Sequence, residues 1–381
     1  MKIASGNVNR VYHLLTINPE AMSRIQKSEE KENKPNVYVG IDVHGGSFQV
    51  TPFLERVEQR SRRFPSSGPD LLSWSLEKYP GAKLIFGYEA GFSGLWLSRY
   101  LQEQGYECKV LHPSDIPTTD KERAHKNDRR DSRKIGSCLR TGEYNEIHQI
   151  GREQEELRQL VRSGIKYSRM LKVSQQRIRQ GLNFRGYGKE GLTPRGKKSW
   201  SKATIRSLRK LAEEQGFQSL LVDLEYYTTQ KKALKEIWLR VDSELRKSSY
   251  KEYYIRYQTT PGVGPLLSAI LTVEIGEMDR FSNTRSLKGY CGIVPGEKSS
   301  GEKVKADRMS YRGNRYLRWA LIQASRRAIQ HDYELAKLYT SYTHQYSNEK
   351  KAVVKVAATL LSRMRRMILD KKDYKKQKPT E

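Results

Sequence analysis

Cysteine is scarce in this 381-residue chain. Cys108, Cys138 and Cys291 are scattered without a Cys-x-x-Cys pair, which argues against both a disulfide framework and a zinc knuckle. The seven histidines show no paired ligand spacing, so any bound metal is expected to be held by oxygen. No apolar run reaches the ~18 residues that a membrane-spanning helix needs, and no signal-peptide pattern is present. The expectation is a soluble, cytoplasmic, nucleoid-associated protein without a membrane partner. Negative charge is also in short supply: 43 acidic residues face 71 basic ones, a net charge of +28. Such a surplus points to a polyanionic partner, nucleic acid before an anionic membrane. No recognisable base-reading module such as a zinc finger accompanies it.

The few acids that matter are arranged suggestively. Lys126-Asn127-Asp128-Arg129-Arg130-Asp131-Ser132-Arg133 sets two carboxylates three residues apart among cations. On a helix, positions i and i+3 share a face, so Asp128 and Asp131 point the same way. That pattern suits either a solvated face laced with ion pairs or a hard divalent ion, Mg²⁺ above all. Upstream, residues 36–43 read as a β-rich strand ending near Asp42, 47–52 as its hairpin return, and 57–64 as a third strand. A helix over 70–79, a strand over 83–89 ending in Glu89, a helix over 94–104, a strand over 107–112 and a helix over 128–141 follow. That order is the α/β order of a ribonuclease-H-like sheet. In an open α/β sheet, ligands gather beyond the carboxyl ends of the strands, where Asp42 and Glu89 converge. Four clustered carboxylates repel one another unless cations neutralise them, and phosphoryl transfer on DNA uses such a cage.

The rest reads as helix. Leu157, Val161, Leu171, Ile178 and Leu182 form one heptad stripe, and Leu220, Leu224, Tyr227, Leu234, Trp238, Val241 and Leu245 a cleaner second one. They predict an antiparallel coiled coil over 146–250 with a basic loop, 183–210, at its tip. From Arg185 to Lys210 that loop holds nine Lys/Arg against one Glu, among them Arg185, Lys189, Arg195, Lys197, Lys198 and Lys202, with Phe184, Tyr187 and Trp200 interleaved. The coil serves either as an intramolecular hairpin with a solvated end or, the favoured reading, as a dimerisation element whose loop tracks phosphates while its aromatics stack on bases. Thr260-Pro261-Gly262-Val263-Gly264 between helices resembles a helix-hairpin-helix turn, whose backbone N–H groups contact phosphate. Ser299-Ser300-Gly301 lies on a Gly-bounded loop near Arg308, Arg312, Arg315 and Arg318, a setting suited to a serine nucleophile at phosphorus. The expected segmentation is a flexible arm over 1–35, the α/β domain over 36–145, the coiled coil over 146–250, a mostly helical domain over 251–369 and a basic tail over 370–381.

Several of these stretches together resemble the DEDD transposases of the insertion sequence one-ten family, which includes pilin-inversion invertases and bridge-RNA-guided recombinases. They are Gly40-Ile41-Asp42-Val43, Tyr88-Glu89-Ala90, the octapeptide around Asp128, the segments from Thr259 and Leu287, and that from Arg308. The likeness runs over residues 37–331 in family order. Two departures are mild: Asn127 stands where the family usually has Thr, and Ser132 where it usually has Ala. The resemblance implies a RuvC-like domain with Asp42, Glu89, Asp128 and Asp131 as Mg²⁺ ligands. It implies a second domain whose serine, Ser300 with Ser299 as competitor, forms a covalent link to DNA. It further implies a homo-oligomer (dimer or tetramer), donor and target DNA, and a structured noncoding guide RNA. Delegating sequence choice to base pairing suits a chain rich in cationic surface and poor in base-reading modules. Three other readings stay open: a RuvC-type junction nuclease using water, an invertase without guide RNA, and a packaging protein with vestigial acids.

Overall fold

The structure, a computed structural model, describes residues 34–117, 128–188, 200–294, 313–346 and 348–375. Within it the chain forms two compact units, Met1–Gln149 and Ile150–Glu381.

The first unit is built on a mixed sheet. Its strands are β1 (Asn36–Val43), β2 (Ser47–Leu54), β3 (Val57–Glu58), β4 (Arg62–Pro65), β5 (Lys83–Glu89) and β6 (Glu107–Leu111). The order is β3-β2-β1-β5-β6, with β4 also pairing with β2. β1 pairs antiparallel with β2 and parallel with β5, and β5 parallel with β6. The expected third strand is thus two short pieces, both laid on β2. Side chains alternate between faces along a strand. Val37, Val39 and Ile41 of β1 are fully buried on one face, as are Phe86 and Tyr88 of β5. The helices α1 (Gly68–Lys78) and α2 (Trp96–Glu103) complete the α/β order. Ser67 caps α1 by accepting from the Asp70 N–H, with Pro69 in the first turn, where its missing N–H costs nothing.

The opposite face takes α3 (Asp128–Thr141), and glycine decides how closely. A side chain on Gly40 would run into the backbone of Gly136 and Ser132, and one on Gly87 would meet Leu139 at 2.7 Å. Ser132, at the position of the family's usual Ala, is buried and shares a 2.7 Å hydrogen bond with Thr51 of β2. Ile135, Cys138 and Leu139 pack with Leu111 and Tyr38 beneath the helix. The three cysteines are free and buried, and burial pushes the Cys108 thiol up to about 12.

The second unit is helical. α4 (Arg152–Phe184) and α6 (Gln218–Lys247) pair along their apolar stripes within one chain. At 1.5 Å per residue they are roughly 45–50 Å long. Along α4, Gly164 leaves room for the Trp238 ring, and Ser174 donates to Gln230 at 2.6 Å. The tip is not a loop throughout, for residues Lys202–Glu214 form α5, capped by Ser201. Ile178, Leu182, Trp200, Leu208, Ala212, Leu220, Leu224 and Tyr227 form a small core there.

The remaining helices are α7 (Lys251–Gln258), α8 (Pro265–Ile275), α9 (Thr284–Cys291), α10 (Arg315–Ala328), α11 (Tyr333–Gln345) and α12 (Glu349–Leu369). α8 is buried on every side from Ser268 to Ile275, as its mostly apolar sequence requires. One core joins its Val273 and Ile270 to Val161, Val241 and Leu245 of the hairpin, so hairpin and C-terminal helices share a single unit. The chain after α12 is anchored rather than free as far as Tyr374, whose hydroxyl donates to buried Asp332 at 2.8 Å and whose N–H donates to Thr259 at 3.0 Å.

Candidate functional site

Gly40 and Asp42 lie two residues apart on β1, as do Gly87 and Glu89 on β5. Since the glycines face α3, both acids lie on that face too. The parallel register pairs Ile41 with Tyr88, so Asp42 and Glu89 are the next positions on adjacent strands, at their carboxyl ends. α3 begins at Asp128, with Asp131 in its first turn, where the helix dipole favours negative charge.

Asp42 and Asp128 are brought together through His44. Its Nε2 lies 3.1 Å from Asp42 Oδ2 and 3.3 Å from Asp128 Oδ1. The three groups present ligand atoms within 4.8 Å of one another. Burial pushes the Asp42 carboxyl above its ordinary value; nearby His44 opposes the rise, and the charges of Asp131 and Asp128 add to it. A cation between these carboxylates would relieve that penalty, so the donor set fits a metal ion. Oxygen donors suit Mg²⁺. The imidazole nitrogen departs from the expected all-oxygen set and is equally at home with Mn²⁺ or another first-row ion. His44 reads from sequence as a turn residue, yet its position two beyond Asp42, on the same face, was the available signal. Glu89 is exposed at its strand end and engaged in interactions of its own.

The other candidate positions divide. Lys189, Arg195, Lys197, Lys198, Arg308, Arg312, Ser299 and Ser300 lie outside the described residues. Arg185 ends α4, where it donates to Gly181 O and Ser219 Oγ and stacks over Phe217 at 4.9 Å, so it holds the hairpin tip together. Lys202 opens α5, whose exposed face also carries Arg206, Arg209 and Lys210. Of the interleaved aromatics, Trp200 is buried against Tyr227 and Tyr187 packs edge-on to Phe217, whereas Phe184 is 89% exposed. The stacking role expected of Trp200 is therefore closed to it: its ring completes the tip core. Arg315 is exposed at the start of α10, while Arg318 donates to Gly292 O at 2.9 Å.

That last bond belongs to a neck. Gly292 and Gly313, which flank the serine-bearing segment, touch backbone to backbone, and Asn314 donates its N–H to Tyr290 O at 2.8 Å. Behind them sits Glu274, fully buried. It receives a two-pronged Arg162 guanidinium at 2.7 and 2.9 Å and the Asn314 side-chain amide at 2.8 Å. Sequence reasoning missed this carboxylate because it sits within the apolar run of α8.

Two family descriptions match the chain in sequence order. Residues 39–184, a stretch containing all four acids, match the DEDD type of IS110 transposases, described simply as "Transposase". Residues 256–340 match "Transposase IS116/IS110/IS902 family". Among curated relatives, a putative transposase of Sinorhizobium fredii is 31% identical over 243 residues, 64% of this chain and 58% of that protein. The transposase for insertion sequence element IS1328 of Yersinia enterocolitica is 22% identical over 284 residues, 72% of this chain and 79% of its own. That for IS1111A of Coxiella burnetii is 37% identical over 76 residues, 20% and 21% of the two chains. The chain thus spans a little over half the length of the first of these. It belongs to the IS110 family of DEDD insertion-sequence transposases.

Proposed function

We propose that the protein is a metal-dependent DNA transposase and site-specific recombinase working through a covalent serine–DNA intermediate. The observation that carries this reading is the meeting of Asp42 and Asp128 at His44, with Glu89 at the end of the adjoining strand and Asp131 in the first turn of α3, on a sheet whose order suits a ribonuclease-H-like, RuvC-like domain. Asp42, Glu89, Asp128 and Asp131, joined by His44, would hold the ion, Mg²⁺ by preference. When bound, it supplies activation of the attacking oxygen and neutralises charge on the leaving one.

The serine, Ser300 ahead of Ser299, adds its Oγ to a DNA phosphorus and loses its proton. The deoxyribose oxygen leaves and takes up a proton, and the reverse exchange on a new strand reseals the backbone. Because each phosphoester is exchanged for another, no external energy source is needed. Arg308, Arg312 and Arg315 balance charge at the phosphate, while Arg318 holds the neck. In the turn Thr260–Gly264, beside Arg327 and His331, the N–H groups of Thr260 and Val263 bond within the protein, and those of Gly262 and Gly264 would meet a DNA phosphate. Lys202 and its α5 neighbours, with Lys189, Arg195, Lys197 and Lys198, line a nonspecific nucleic-acid surface; Arg185 steadies its base. A structured guide RNA fits a cationic protein without a base-reading module. Assembly of copies would use the outer face of the hairpin, where Tyr167, Met170, Val222, Tyr226 and Leu239 are exposed.

The test is recombination of a plasmid carrying the native flanking DNA. Asp42→Asn and Ser300→Ala should each lower the product by at least ~10²-fold, the scale of losing one group that stabilises the transition state, while DNA binding persists. Wild-type-like recombination by either variant removes that residue from the mechanism. A RuvC-type nuclease using water is the competing reading, since the acids alone suffice for hydrolysis. In that case Ser300→Ala would still cut.

A further inference from the structure

A cleft of about 450 Å³ opens beside the start of α12, within the roughly 300–1,000 Å³ span of small-molecule pockets. Its floor is apolar: Ile293, Ile322, Val353 and Val354. Tyr346 forms one wall, its ring carrying the Lys355 ammonium at 5.8 Å. The rim is cationic, with Arg326, Lys350 and Lys351 all exposed, and among the described residues no carboxylate lines the cleft.

An occupant must therefore be flat or slender and apolar at one end and anionic at the other. We propose that this cleft takes an unstacked nucleotide of a single-stranded nucleic acid, the base seated on the Ile322–Val354 floor beside Tyr346. Its phosphates rest on Lys350, Lys351 and Arg326. Every base has an apolar face, so such a seat is indifferent to sequence. A base locked in a duplex cannot reach it without unstacking. The chain's own neighbouring stretch 295–312 is a poorer occupant, because it carries five cations against three acids and would meet a cationic rim. The choice of polyanion rests on the nucleic-acid function proposed above.

The test uses the full chain and single-stranded DNA and RNA 20-mers, each carrying 5-iodouracil. Ultraviolet crosslinking followed by peptide mapping should place an adduct on Tyr346, and the strand that yields it tells DNA from RNA. Ile322→Trp, which fills the cleft, should weaken single-strand binding roughly tenfold or more, the scale of one lost stacking contact, and leave blunt duplex binding unchanged. Should that variant fail to fold, Lys350→Ala/Lys351→Ala at exposed positions should lower the slope of log K against log salt by up to about two. Adducts only elsewhere, with the filled or charge-stripped variant binding single strands as the wild type does, would overturn the proposal. So would phosphatidylglycerol vesicles that bind the wild type and lose Ile322→Trp while single strands do not. A wild type that binds no nucleic acid at all would instead refute the broader function.

Discussion

Asp42 is held at the end of a buried strand with two further aspartates nearby, and that placement has a thermodynamic signature. Its carboxyl is raised above the ordinary 3.8 by burial first and by Asp131 and Asp128 besides. An acid whose folded-state value is raised binds its proton more tightly in the native state than in the unfolded chain. Stability of the metal-free protein therefore falls as pH rises from 3.8 through the raised value, and stays lower above it. Asp42→Asn is expected to remove that slope. Thermal melting in chelator from pH 4 to 8 reads this directly: a wild type with no excess loss over the variant would contradict the assigned burial. Adding Mg²⁺ or Mn²⁺ should raise the wild-type melting temperature by mass action and leave Asp42→Asn and Asp128→Asn unmoved. A hard cation and His44 compete for the same carboxylate oxygens, so the ring is expected either to swing aside or to join as a nitrogen ligand. His44→Ala should narrow any preference for Mn²⁺ over Mg²⁺.

Elements are locked together here by close approach and by buried charge. Gly40→Ala pushes a methyl group into the backbone of Gly136 and Ser132, which no side-chain rotation can relieve. The expected cost is about 1–3 kcal/mol or more, together with displacement of Asp128 from Asp42. Urea melts and metal titration of the same variant should fall together. A stability unchanged within ~0.5 kcal/mol would show that α3 does not sit so close. On the other unit, Arg162→Leu leaves Glu274 buried without its principal partner and should destabilise by about 3–5 kcal/mol. The double variant Arg162→Leu/Glu274→Leu should recover most of that loss, because the penalty belongs to the orphaned carboxylate. Simple additivity in this cycle would mean that the pair does not couple. Sequence periodicity predicts these elements well where burial is one-sided, as in the two hairpin helices. It misses α5 because a basic, Gly-flanked stretch reads as loop until Leu208 and Ala212 find the tip core.

For the whole molecule, a net charge of +28 makes nonspecific affinity for nucleic acid steeply salt-dependent. The contribution proposed for the hairpin tip can be isolated. Phe184→Ala should weaken single-stranded binding by roughly 1–3 kcal/mol, the value of one stacked base, with the salt slope unchanged. Titrations at several salt concentrations give both quantities, and an unaltered affinity would take the tip out of the binding surface. Trp200→Ala should instead lower stability, since its ring is part of the tip core. The two aromatics look alike in the sequence and differ only in what surrounds them.

Composition alone determined that this chain is strongly cationic, a charge suited to a polyanionic partner. Spacing set its α/β order, the four acids at strand ends and on one helix turn, and two long helices able to pair. These properties are local: alternation, heptad spacing and charge survive in any single segment. Tertiary structure alone decided that α3 crosses β1 at Gly40, that His44 stands between Asp42 and Asp128, and that the apolar run of α8 hides Glu274 behind the Gly292–Gly313 neck. Each depends on groups distant in sequence being pressed together by burial, and no periodicity within one segment records its partner.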